Sequence, residues 1–266
     1  MTDQGLVEFT HAALKAAVLG VPRLLVCILL LPMFPSSVFP RLFRVGLAIG
    51  LGAPVCVGVY YHLERTPQVV DLGALVFKEC LLGLLLGLVL AAPLWAVEAA
   101  GTLADNQRGA NAAQQLTPFA TADASVLGSA LLQAFVVLLA TTGVFVAIYT
   151  FLLSTFEAWP VLQMLPDLTQ FSAGHAIGRF SEFMMKAVLY AAPMLAIALL
   201  VDFVFSFVSV FAPQLQTYFA AFPIKSLLVM LVLALYAAVL LSHGEAYFLQ
   251  LLERESQLLR ETLSRR

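Results

Sequence analysis

VLGSALLQAFVVLLATTGVFVAIYTFLL, residues 126–153, is twenty-eight residues long and carries no charged side chain. As one helix rising about 1.5 Å per residue it measures roughly 42 Å, against a hydrocarbon core of about 30 Å. A soluble domain of this size has no use for so long an uncharged helix. The stretch predicts a membrane protein, with a single long helix at this point.

The rest of the chain agrees. Hydrophobic residues make up 61% and charged residues 11%, about half the usual charged share. The net charge of −2 gives no electrostatic basis for binding nucleic acid, and none is expected as a partner. Cys27, Cys56 and Cys80 stand alone in apolar runs. Without a CxxC pair they predict buried small hydrophobes, not a disulfide framework or a metal site. Asp3 and Glu8 precede the first apolar stretch with no basic region ahead of it, so no cleavable signal peptide is predicted.

Six apolar stretches follow one another: about 12–31, 45–61, 72–97, 126–153, 187–212 and 226–241. All read as helices, because only helices and closed barrels satisfy their backbone in lipid, and the alternation of barrel strands is absent. The fold class is all-α, built of kinked hydrophobic hairpins. Pro22, Pro54, Pro93 and Pro193 fall within four of the stretches, where each removes a backbone donor and predicts a kink. Gly46-x-x-x-Gly50 and Gly83-x-x-x-Gly87 have the spacing of close helix contacts, which also arises by chance in glycine-rich apolar sequence. Residues 1–242 read as one hydrophobic helical domain and 243–266 as a charged C-terminal helix or tail.

Charge placement says little about topology. Arg254, Arg260, Arg265 and Arg266 favour a cytoplasmic C-terminus, but basic residues fall on both sides of any six-span arrangement. The helices are therefore expected not to sit as ordinary spans.

Chemistry is hard to find. His11, His62, His175 and His243 are scattered without metal-ligand spacing. No Walker loop, GxSxG or HExxH is present, so neither an enzyme nor a cofactor is expected. Asp202 lies deep in the apolar run LLVDFVFS. A charge at mid-membrane costs roughly 2.5–3.5 kcal/mol on insertion scales. Asp202 is thus either a functional or partner-paired site, or a place where the helix reaches water or a neighbouring subunit. The stretch 98–125, EAAGTLADNQRGANAAQQLTPFATADAS, is polar yet carries only Glu98, Asp105, Arg108 and Asp123 as charges. Such a loop suits a position buried in protein or lining a wet cavity, or serves as a plain connector.

The ordered motifs resemble one family. Arg23 and Pro32, then Pro40, Arg44, Gly46 and Ala48 in FPRLFRVGLAIG, resemble the first hairpin of the type III export-apparatus proteins of the SctT, YscT, SpaR and FliR kind. Glu98, Gly101, Asp105, Gln107, Arg108 and Gly109 resemble that family's E-x-x-G-x-x-x-D-x-Q-R-G motif. Leu165-Pro166, Ala212-Pro213-Gln214-Leu215 and Phe222-Pro223-Ile224-Lys225-Ser226 resemble its later signatures, the last in its injectisome form. The resemblance implies a non-enzymatic channel subunit of an export gate in the bacterial inner membrane, passing unfolded secreted polypeptides. It implies sister partners of the SctR/FliP, SctS/FliQ and SctU/FlhB kinds, along with membrane lipid. It also implies that the segment after Q-R-G, with Ala110, Asn111, Gln114, Gln115, Thr117, Pro118, Phe119 and Asp123, plugs the closed channel. Glu98 to Gly109 would flank that gate, and Asp202, Pro213, Gln214, Pro223 and Lys225 would serve subunit packing. The alternative is a secondary transporter of a small solute or ion coupled through Asp202, though no internal repeat supports it.

Overall fold

A computed structural model describes residues 3–65, 71–109, 125–164, 173–211 and 217–264. Leu165-Pro166, residues 110–123 and Pro213-Gln214 lie outside them. The described residues form eight helices and no strand: α1 Asp3–Gly20, α2 Pro22–Leu30, α3 Arg41–Arg65, α4 Leu72–Gln107, α5 Val126–Thr141, α6 Val144–Ala158, α7 Ala173–Phe211 and α8 Thr217–Ser264. Five helical stretches are long and apolar enough to cross a membrane, or six if α5 and α6 count together. The protein is an all-helical, multi-pass membrane protein.

Two expectations need correction. The uncharged run 126–153 is two helices, not one. Gly143 between them has the left-handed φ of 78°. The hydroxyls of Thr141 and Thr142 both donate to Leu138 O, at 2.8 and 3.1 Å. Threonine hydroxyls offer the backbone an alternative partner, and glycine takes the left-handed turn without a Cβ penalty. The polar stretch beginning at Glu98 is not a loop at its start, because α4 continues to Gln107. Its alanines, Glu98 and Leu103 favour helix, and the Thr102 hydroxyl returns to Glu98 O at 3.0 Å. Pro54, Pro93, Pro193 and Pro223 lie inside helices that run on past them. Pro22 alone starts a new helix, as the first residue of α2. The last helix passes from apolar to charged sequence through Leu241–His243 without a break.

The chain divides into two compact units. The first comprises Met1–Ala91, Gly143–Ala176 and Gln250–Arg266. In it α1 and α2 pack on α3, around Ala16, Leu19, Val59, Leu75 and Val161. Gly83 and Gly87 mark a close crossing with α2. A Cβ on Gly83 would meet the Arg23 backbone, and one on Gly87 would lie 2.9 Å from Leu30 Cδ1. Gly46 and Gly50 face open space within the chain.

At this crossing sits a fully buried ion cluster. Arg23 donates through Nε to Glu79 Oε2 at 2.7 Å and through Nη2 to Oε1 at 3.0 Å. Its other donors reach the Thr155 hydroxyl at 3.1 Å and Trp159 O at 2.9 Å. The guanidinium carbon lies 4.0 Å from the Phe156 ring centre. Lys78 pairs with the same carboxylate at 2.8 Å. The second cation is matched by backbone: Lys78 Nζ donates to Pro160 O, Val161 O and Gln163 O at 3.1, 2.8 and 2.8 Å. These carbonyls follow the C-terminus of α6, the negative end of its dipole.

Removing one member of such a cluster leaves an uncompensated charge, at a cost of about 3–5 kcal/mol. Arg23→Met is therefore expected to lower the unfolding temperature in detergent sharply. The double change Arg23→Met, Glu79→Leu should recover part of that loss, because an apolar pair does not strand a carboxylate. A double variant less stable than either single one would show that the ions matter beyond mutual neutralisation.

Candidate functional site

The second unit comprises Ala92–Thr142 and Ile177–Leu249. Its polar centre is Asp105, two residues before the end of α4 and 1% exposed. Asp105 Oδ1 accepts from Arg108 Nε at 2.7 Å and pairs with Arg108 Nη2 at 2.6 Å. Its Oδ2 accepts from the Ser125 hydroxyl at 2.6 Å and from Leu127 N at 2.9 Å. Ser125 is the N-cap of α5, and its Oγ accepts from Gly128 N at 2.8 Å. One carboxylate thus holds the residue before the polar segment 110–124 and the first residues after it. The contact also places negative charge at the positive end of α5.

Two motifs far apart in sequence dock here. Arg108 Nη1 donates to Ser226 Oγ at 3.2 Å. Lys225 Nζ pairs with Asp202 Oδ1 at 2.5 Å and reaches Gln107 O at 3.4 Å. Gln107 Nε2 is 3.5 Å from Asp202 Oδ2. The Gln-Arg of the middle motif therefore meets the Lys-Ser of the later one, with Asp202 joining from α7. The Asp202 side chain is 40% exposed while Lys225 is 8% exposed. The acid that the sequence left without an assigned partner is matched within its own chain.

Glycine sets the backbone spacing. A Cβ on Gly101 would fall 2.6 Å from Gly128 N and 2.7 Å from Gly128 Cα. One on Gly128 would meet Thr102 Oγ1 and, at 2.9 Å, Glu98 O. Gly101 and Gly128 thus let α4 and α5 touch backbone to backbone. Gly109 has φ 82°, and a Cβ there would overlap the Phe222 ring.

Of the residues singled out in sequence, Asp105, Gln107, Arg108, Lys225 and Asp202 form this one network. Gly101 and Gly109 serve its backbone. Glu98 contributes its carbonyl and lies half-buried. Pro223 is exposed on α8. The plug candidates 110–123 and Pro213 and Gln214 lie outside the described residues. Ser125 was missed as a member, since a lone serine carries no signal until its partner's position is known, and Ser226 was quoted only as the end of its signature. Among the described residues no three His, Cys, Asp or Glu side chains converge as a metal site would require.

Residues 14–251 match the model of the bacterial export proteins, family 1, and the chain belongs to that family. These are the type III export-apparatus proteins that the motifs resemble; they are structural components, not enzymes, and the chain has a role in protein export. The Yop proteins translocation protein T of Yersinia pestis is 31% identical over 258 residues, covering 96% of this chain and 98% of that protein. The surface presentation of antigens protein SpaR of Salmonella typhimurium is 26% identical over 85% of this chain and 84% of its own. The flagellar biosynthetic protein FliR of Bacillus subtilis is 26% identical over 73% and 75%.

Asp105→Asn should weaken the network by about 1.5–3 kcal/mol for each charge-assisted hydrogen bond lost. Secretion of a reporter substrate is expected to fall further than the level of membrane-inserted protein. Parallel decreases of both would reduce Asp105 to a folding role. Gly101→Ala must push α4 and α5 apart, with an overpacking cost of about 1–3 kcal/mol. Reduced accumulation of folded protein, followed by fluorescence-detected size exclusion, is the expected result.

Proposed function

We propose that the chain is a structural channel subunit of a type III protein secretion gate in the bacterial inner membrane. It passes unfolded polypeptides and assembles with sister proteins of the SctR/FliP, SctS/FliQ and SctU/FlhB kinds. The carrying observation is the Asp105 clamp. Arg108, two residues before the segment 110–124, and Ser125, just after it, both answer to one buried carboxylate. A segment so held keeps a fixed footing whatever its middle does.

That footing supports a plug. Ala110, Asn111, Gln114, Gln115 and Thr117 are small or polar and can fill a wet passage without a large hydrophobic contact to hold them there. Phe119 is the one large ring of the segment, worth about 1.5–3 kcal/mol if buried. The closed state then rests on a weak seal over a firm base, as a moving element requires. The transporter reading drew on Asp202 as an acid in need of a role, and its pairing with Lys225 removes that motive.

Deleting Gln114–Thr117 is expected to leave the protein assembled with its sister subunits, since the clamp at Asp105 is untouched. Cells carrying the deletion should become permeable to small ions, measured as membrane conductance. A deletion as tight as the parent would place the seal elsewhere. A deletion that abolishes assembly would make the segment a packing element.

A further inference from the structure

The stretch Phe222–Ser226 meets the end of α4 with three side chains. Phe222, Lys225 and Ser226 lie three and four residues apart on α8, on one helix face. Lys225 Nζ reaches Gln107 O at 3.4 Å, and Ser226 Oγ accepts from Arg108 Nη1 at 3.2 Å. The first contact satisfies a carbonyl that a helix end leaves open. The charge network accounts for Lys225 and Ser226. It leaves Phe222 without a role.

Phe222 stands against Gly109. Gly109 follows α4 in a left-handed turn, with φ 82° and its N donating to Asn106 O at 3.2 Å. A Cβ on Gly109 would overlap Cδ1 and Cε1 of the Phe222 ring. The ring edge therefore fills the place of a side chain. The turn by itself asks only for glycine or asparagine. The ring narrows that choice to glycine, since asparagine carries a Cβ.

This contact does what the Asp105 clamp does not. The clamp holds the Arg108 side chain, and rotation about the Gly109 backbone leaves that side chain where it is. Glycine adopts φ of either sign at little steric cost. With Gly109 unhindered, the chain beyond it is anchored but not aimed. A ring against the Gly109 backbone restricts the rotation. The ring is stiff, with only two side-chain torsions. Lys225 Nζ lies 5.8 Å from its centre, within reach of a cation–π attraction.

We propose that Phe222 is a positioning residue for the segment 110–124. Its ring holds Gly109 in the left-handed turn and so fixes the direction in which the chain leaves α4. The inference rests on the reading of that segment as the plug of a closed channel. Asp105 then sets where the plug is footed, and Phe222 sets which way it points.

The test uses cells producing the full-length protein with its sister subunits, and reads small-ion conductance per assembled complex. Phe222→Ala should raise that leak roughly tenfold, the factor for a loss of about 1.4 kcal/mol. Phe222→Tyr keeps the ring and should restore tightness. Gly109→Asn tolerates the turn but displaces the ring, and should leak as Phe222→Ala does. Should Phe222→Ala fail to accumulate, Gly109→Asn carries the test. The deletion of Gln114–Thr117 separates the two readings. Phe222→Ala placed in that deletion should add no further leak, because the ring acts through the segment. An added leak, or a tight Phe222→Ala beside a leaky deletion, would overturn the role of Phe222 and leave the plug reading standing. A tight deletion would overturn the plug reading, and this inference with it. A fall in complex abundance with unchanged leak per complex would reduce Phe222 to packing.

Discussion

A charge buried among apolar helices must find its counter-charge inside the protein, and α4 meets that requirement with the same device in each unit. Glu79 and Gly83 are four residues apart, as are Gly101 and Asp105. Residues at this spacing share a helix face. In each case the glycine admits a neighbouring backbone and the acid ties it down. Gly83 lets α2 approach at Arg23, and Glu79 takes the Arg23 side chain. Gly101 lets the start of α5 approach at Gly128, and Asp105 takes Leu127 N and the Ser125 hydroxyl. Glycine alone gives closeness without register. An acid alone could not reach. Together they fix both the separation and the axial position of a helix whose outer surface is nearly featureless.

The two sites differ in how they treat surplus charge. At Glu79 two cations share one carboxylate, and the backbone carbonyls after α6 accept the excess. Arg23 and Glu79 are fully buried and Lys78 nearly so, so the cluster has no low-cost rearrangement. At Asp105 the ion pair is joined to Ser226 and lies near Asp202, whose side chain is 40% exposed. A partly hydrated pair is worth far less than a buried one, and salt weakens it. The second unit thus has a firm inner carboxylate and a softer outer pair.

Much of this was legible in the sequence, and what was not has identifiable causes. Apolar run length announced a helical membrane protein, and the spaced motifs announced the family. Composition could not show that 126–153 breaks, because a Thr-Thr-Gly step inside an apolar run is a weak local signal that a long hydrophobic average hides. It could not show that α4 reaches Gln107 either, since polar Ala-rich sequence suits a loop and a helix alike. The pairing of Arg23 with Glu79 spans 56 positions. That of Lys225 with Asp202 joins two helices. Such partners are set by tertiary packing, and a sequence offers only the rule that partners must exist. Asp105 and Arg108 were visible because they lie one helical turn apart.

The gradation of charge burial decides which contacts of the second unit give way first. An element that opens must break contacts, and those contacts should be the least stable in the structure. Here the contacts at the ends of segment 110–124 are the opposite. Asp105 is buried and holds four donor contacts from three residues. Releasing Arg108 or Ser125 from Asp105 would strand a carboxylate in an apolar surround, at a cost of about 3–5 kcal/mol. The outer Lys225–Asp202 pair, with water at hand, is the contact that can give more readily. Within one network the Gln-Arg motif is thus tied to the firm carboxylate and the Lys-Ser motif to the softer pair.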